Sequence, residues 1–292
     1  MIDRRLEIFI KVADMGNITN VATDLFVSQP AISKQIKNLE KELNVKLFHR
    51  DKRSGMILTD IGQKILLLAK QQAEIDNRIY QVAFQENNFI GGKLRIASLP
   101  ILSANLLSRV LPIYRKKYPQ VSVEIKEGTP HEVRQMVLER TVDFGISCSP
   151  FAKLDYEILF DDKMVGFYPA DIEDIPEEID LRKGTENLIF SRHGREIILE
   201  ELSGKHKISF SKSLIFENPF TVVQMVQNRN GIGILSKFAL DAIPNRLKTC
   251  EVKPYFAMKL GIEANSLKDL TPVAHEFYKI LKDIAGTLPS SE

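Results

Sequence analysis

Apolar residues recur at three- and four-residue intervals through the opening stretch, and the pattern breaks at turn-forming residues. Leu6, Phe9, Ile10 and Ala13 share one face of a helix over about Arg4 to Asp14, which Gly16 and Asn17 interrupt. A second short helix follows from about Thr19 to Phe26, with Val21, Ala22 and Leu25 inward. A third begins after Ser28, a residue suited to an N-cap, with Pro30 in the first turn where a missing N–H costs little. Its inner face reads Ala31, Ile32, Ile36, Leu39 and Leu43, its outer face Ser33, Lys34, Gln35 and Lys37. Asn44 can take the left-handed conformation that ends it. Leu47, Phe48, Ile57 and Leu58 then flank a polar, basic turn, which predicts a hairpin, or wing.

From Asp60 to about Phe89 there is no proline, and glycine occurs only at Gly62. Ile61, Ile65, Leu68, Ile75, Ile79 and Val82 form a narrow apolar seam broken by Gln72. Such a seam, with polar flanks, wants a partner helix; the alternative is one amphipathic helix lying on its own domain. Gly91 and Gly92 end it and make a hinge. Beyond them strands alternate with helices. Strands are predicted at Lys93 to Ala97, Val121 to Ile125, Val142 to Ile146, Val165 to Tyr168, Leu188 to Phe190 and Ile232 to Leu235. Helices are predicted at Leu102 to Tyr118, Pro130 to Arg140, Thr221 to Asn228 and Val273 to Ile284. That rhythm indicates βαβ units and a parallel or mixed α/β sheet.

A chain of 292 residues suits about two domains at ~150 residues each. The net charge of +2 announces no partner, but its distribution does. Between Ser28 and Arg53 seven Lys/Arg face three acids, a local +4 against +2 for the whole chain. A basic unit joined to a near-neutral body suits a polyanion at one end and something else at the other. Cys148 and Cys250 offer neither metal spacing nor a disulfide framework and read as buried thiols in a reducing cytosol. The five histidines are scattered, and no Gly-x-Ser-x-Gly elbow or phosphate loop is present. No catalytic residues, metal or cofactor are therefore expected. With no secretory signal and no transmembrane stretch, the expected location is the cytoplasm.

The run from Asn17 to Leu43, centred on Ser28-Gln-Pro-Ala-Ile-Ser-Lys-Gln-Ile36, resembles the LysR-type winged helix-turn-helix. Leu47-Phe-His-Arg50 and Leu58-Thr-Asp-Ile-Gly62 fit that family's wing and linker entry. Val142-Asp-Phe-Gly-Ile146 and Asn230-Gly-Ile-Gly-Ile-Leu235 fit its body. Two positions depart from the pattern: Val21-Ala22 replaces paired alanines, and Asn44 stands where glycine is common. The resemblance implies an all-α winged helix-turn-helix over residues 1–58 and a long linker helix over 59–90. A two-lobed α/β effector domain like a periplasmic solute receptor would follow over 91–292. Lobe I would hold about 93–162 and 267–292, lobe II about 163–266, with crossings near Asp161 to Met164 and Ala264 to Leu267. It further implies a regulator that dimerises through the linker helix, usually becomes a tetramer, and binds double-stranded DNA at interrupted inverted repeats near promoters. That position can bring it against RNA polymerase, and a small-molecule inducer would occupy the cleft between lobes.

A helix in the major groove must offer short or flexible polar groups near its N-terminus. Ser28, Gln29, Ser33, Lys34 and Lys37 meet that need. Gln29 can pair with an adenine edge and Lys34 can reach guanine acceptors. Gln35 faces the groove or a flanking phosphate, while Pro30 and Ala31 suit a thymine methyl. Arg50 and Arg53 in the wing suit phosphates or the minor groove. For the effector, strand ends and helix starts matter. Ser98 and Pro100 follow the first strand, though Pro100 removes a backbone donor. Gly128 and Thr129 follow the second strand, where the family often contacts its inducer, as do Ser191 and Arg192 and the stretch with Glu217 and Asn218. Arg192 and Arg195 could pair with a carboxylate, so a small polar or anionic inducer is expected.

Overall fold

The computed structural model describes residues 3–51, 55–86, 91–151, 153–173, 177–183, 187–192, 194–195, 198–199 and 212–287. Helices α1 (Arg4–Met15), α2 (Ile18–Asp24) and α3 (Gln29–Leu43) close around Phe9, Val12, Val21, Ile32, Ile36 and Leu39, all buried. Short polar residues punctuate them. Asp3 accepts the Arg5 amide at 2.8 Å to start α1, and Asn17 accepts the Thr19 amide at 2.8 Å to start α2. Asn44 ends α3 in the left-handed region at φ 53°. Strands β1 (Phe48–Asp51) and β2 (Gly55–Leu58) pair antiparallel as the wing, and Phe48 meets Phe9 edge-on at 5.5 Å.

The linker helix α4 (Asp60–Glu86) leaves the wing at a tight junction. Thr59 caps it, accepting the Gly62 amide at 2.9 Å while its hydroxyl donates to the Lys46 carbonyl at 2.7 Å. A Cβ on Gly62 would lie 2.2 Å from the Leu47 carbonyl oxygen, so only glycine lets helix and wing approach this closely. One side of α4 ties the two ends of the chain together. Lys70 reaches Asp14 at 2.8 Å, Glu74 pairs with Arg140, Arg78 with Asp269 at 2.9 Å, and Gln81 accepts the Val273 amide at 3.2 Å. Elsewhere on α4, Leu68 is 62% exposed and Ile75 and Ile79 are each 59% exposed, with Ile61 and Val82 exposed beside them. Ile65 alone of the apolar seam is half-buried, packed against the first domain.

The body continues with β3 (Gly92–Ser98), α5 (Pro100–Leu102), a π turn (Ser103–Leu107), α6 (Ser108–Lys117), β4 (Val121–Glu127), α7 (Pro130–Leu138), β5 (Phe144–Cys148) and β6 (Asp155–Pro169). After these come β7 (Glu178–Asp180), β8 (Leu188–Ser191), β9 (Leu214–Phe216), α8 (Pro219–Gln227), β10 (Ile232–Ser236), α9 (Lys237–Asp241), β11 (Leu247–Lys253), β12 (Ala257–Ala264) and α10 (Pro272–Ala285). The strand order is β4-β3-β5-β12-β6 in one lobe and β9-β8-β10-β6-β11-β7 in the other. Neighbours β3/β4, β3/β5, β8/β9 and β8/β10 run parallel and the long strand β6 pairs antiparallel, giving the mixed α/β sheet expected.

Strand β6 carries the first crossing: Lys163 still pairs with Ala257 of β12, while Met164 already pairs with Ser236 of β10. This matches the expected crossing near Asp161 to Met164. The second crossing does not fall at Ala264 to Leu267. Residues 257–264 pair with β5 and β6 inside lobe I, so the return lies at 254–256, and lobe II ends there rather than at 266. The sequence hid β12 because Gly261 and Glu263 interrupt its apolar pattern, yet Glu263 is fully buried. Burial pushes its carboxyl up to about 7, with the Arg134 guanidinium 3.7 Å away opposing the rise. The helix predicted from Leu102 to Tyr118 is interrupted by the π turn, and the strand predicted at Val142 begins at Phe144.

Candidate DNA interface and interlobe cleft

Helix α3 presents a continuous polar face because Ile32, Ile36 and Leu39 turn inward against α1 and α2. Ser28, Gln29, Pro30, Ala31, Lys34 and Lys37 are exposed, and Ser33 and Gln35 are half-buried along the same stretch. Ser28 occupies the N-cap position but its side chain makes no cap hydrogen bond, so its hydroxyl is not committed to the helix end. Arg50 lies on β1, and its side chain and the whole of Arg53 lie outside the described residues.

One residue that the sequence reading passed over fixes the wing to this helix. Glu40, buried on α3, accepts the Leu47 amide at 2.9 Å and the Phe48 amide at 3.5 Å, and pairs with Lys46 at 2.9 Å. Burial alone would raise its carboxyl, but Lys46 and the two amides bring it below the ordinary glutamate value. Its helical spacing of four from Ile36 placed it on the inner face, which was the available signal.

Between the lobes lies a cavity of about 390 Å³, within the range of small-molecule pockets. Strand ends and helix starts of both lobes converge on it, with Met164 at the first crossing. Of the residues expected to meet an effector, Pro100, Gly128, Thr129, Ser191, Glu217 and Asn218 line it. Two do not. Ser98 is fully buried, its hydroxyl donating to the Leu99 carbonyl at 3.1 Å, because it sits where β3 turns into α5 beneath the cavity wall. Arg192 is exposed and its guanidinium is paired with Glu217. Arg195 is also absent from the wall. The wall the sequence did not reveal is apolar: Ile101, Leu235, Phe238, Met258 and Leu260, with Cys148. Burial pushes the Cys148 thiol up to about 12, so it is a neutral, unreactive surface there, and Cys250 is likewise buried and outside any disulfide.

Residues 4–63 match the family described as bacterial regulatory helix-turn-helix protein, lysR family, and residues 88–286 match the LysR substrate binding domain. The chain is 41% identical to the uncharacterized HTH-type transcriptional regulator YoaU of Bacillus subtilis (strain 168), over 96% of this chain and 97% of the relative. The chain belongs to the LysR family of transcriptional regulators. Its fold is that of solved LysR structures. A full-length OxyR variant from Pseudomonas aeruginosa superposes with a TM-score of 0.75 at 22% identity, covering 97% of this chain and 94% of that one. Full-length CbnR in complex with its target DNA superposes with a TM-score of 0.53 at 19% identity, covering 97% and 99%. As a DNA-binding LysR-family transcriptional regulator the chain is no enzyme. No described helix is long and apolar enough to cross a membrane.

Proposed function

We propose that this LysR regulator binds operator DNA as a dimer of α4 helices, paired further into a tetramer, and responds to a small molecule held between its lobes. The observation that carries the reading is the apolar stripe Ile61, Leu68, Ile75, Ile79 and Val82, left in water on a helix whose other side straps the two domains together. A second copy of α4 covers that stripe and sets two α3 helices for a two-fold, interrupted inverted repeat. Ser28, Gln29, Ser33, Lys34 and Lys37 enter the major groove, with Pro30 and Gln35 beside them and Arg50 and Arg53 on the flanking backbone or minor groove. Closure of the lobes on an effector changes the assembly's shape, and with it the spacing or bend of bound DNA. Binding near a promoter in the cytoplasm places the assembly beside RNA polymerase. No cofactor is required by this scheme.

The test is a gel shift on DNA flanking the protein's own gene, with sedimentation of the same samples. The wild type should discriminate that DNA from scrambled sequence, with affinity falling steeply as salt rises. Replacing Ile75→Asp and Ile79→Asp should give monomers whose apparent affinity drops by about 10²–10⁴-fold, the scale of lost avidity. A variant that stays dimeric, or that binds as tightly as a monomer, overturns the reading.

A further inference from the structure

The interlobe cavity has the form of an anion cradle, but its positive ends are already occupied by the chain's own groups. Helices α7, α8 and α9 begin at its wall. Helix N-termini favour anions because their first N–H groups lack partners. Here several of those donors are spent. Thr129 accepts the Glu132 amide at 3.3 Å, and the Glu132 carboxylate accepts the Thr129 amide at 2.7 Å. Asn218 accepts the Phe220 amide at 2.8 Å and Ser236 the Ala239 amide at 3.1 Å. At α9 the Phe238 amide goes to buried Asp162 at 3.1 Å. Pro130 and Pro219 open α7 and α8, so neither first position has an N–H to offer, and Pro100 opens α5 in the same way.

The charge on the wall points the same way. Glu127, Glu132 and Glu217 line the cavity, and no lysine, arginine or histidine does among the described residues. Hydrogen bonds from the Thr129 amide and hydroxyl hold the Glu132 carboxyl below its ordinary value, so it is ionised at neutral pH. Arg192 offsets Glu217 from outside the wall, whereas the Glu127 carboxylate has no cation within ion-pairing reach among the described residues. Between these acids the surface is mainly apolar. An entering carboxylate would lose its water, meet no cation on the wall among the described residues and face like charge, which is costly. These features favour a class other than the polar or anionic inducer that the sequence led us to expect.

The geometry points to an effector of a different class: a small, mainly apolar molecule carrying a protonated amine, seated on the apolar wall with its cation toward Glu127 and Glu217. The inference rests on the cleft being the effector site. Three probes that share a phenylethyl skeleton test it by calorimetry on the full chain: phenethylamine, hydrocinnamate and phenethyl alcohol. Phenethylamine should bind at least about tenfold more tightly than the other two, a step of one decade in Kd. Glu127→Gln with Glu217→Gln, both at exposed positions, should remove that preference while the apolar probe still binds. Ala239→Phe, which fills the cavity, should block all three.

Hydrocinnamate binding as tightly as the amine, and lost in Ala239→Phe or Arg195→Ala, would keep the cleft as the effector site and overturn the cationic class. Equal binding of alcohol and amine would overturn the role of the carboxylates. Absence of saturable amine binding overturns the class outright. A wild type that shifts operator DNA identically with and without saturating bound probe, and identically to Ala239→Phe, would overturn the effector reading itself.

Discussion

Ser28 to Lys37 supply the outward face of α3 from one continuous stretch of chain, whereas the cleft draws its wall from segments as distant as Leu99 and Leu260. The first surface is polar and basic, and helical spacing alone decides which side chains point outward. The second is apolar and acidic, and it exists only after two sheets have formed and β6 has crossed between them. One region is therefore specified locally and the other by topology. Substitutions on α3 should act one contact at a time. Those around the cleft and the junctions should act through the packing of several elements.

The sharpest break in that contrast lies at Gly62, a local residue with a non-local role. Gly62→Ala drives a Cβ against the Leu47 carbonyl oxygen, and overpacking of this kind costs about 1–3 kcal/mol. Thermal melts of the full chain should show the loss in the transition of the DNA-binding domain, with the α/β body unchanged. An unshifted melt would mean that helix and wing are not held together as described.

Glu40 sharpens the comparison from within α3. Its folded carboxyl binds a proton less readily than the unfolded chain does, so its stabilisation is fully present above about 4.5 and fades as pH falls through the lower folded value. Glu40→Gln keeps the shape but loses the charge-assisted bonds to Lys46 and two amides, for about 1–2 kcal/mol at neutral pH. Its stability should vary less with acidification than the wild type's. Equal pH dependence of the two proteins contradicts the role given to this carboxylate.

The smallest effect is expected at Arg192. Its pair with Glu217 is exposed on both sides, 58% and 66%, and such pairs contribute little. Arg192→Ala should therefore change stability and the affinity of a neutral cleft probe by no more than about twofold in equilibrium terms. A tenfold loss would return Arg192 to the cavity wall.

The same contrast explains what could be read before folding. The helix-turn-helix, its break at Gly16 and Asn17, its stop at Asn44, the seam of α4 and the βαβ rhythm all rest on periodicity and turn chemistry within short windows. Six of eight expected cleft residues came to the wall because strand ends and helix starts are visible in sequence. Ser98 failed because its hydroxyl found a nearer carbonyl, and Arg192 because an adjacent acid claimed it. Strand β12 escaped notice because a buried charge and a glycine imitate a loop. The apolar wall escaped because Phe238 or Met258 looks like any core residue until the lobes leave a gap beside it.

Hydroxyl-radical footprinting of the DNA flanking the gene addresses the central claim, that the polar face of α3 reads the operator. Wild type should protect two half-sites related by a two-fold axis. Gln29→Ala or Lys34→Ala should each lose that protection by about 1–3 kcal/mol per contact while remaining folded and oligomeric. Unchanged footprints from both variants would contradict the account.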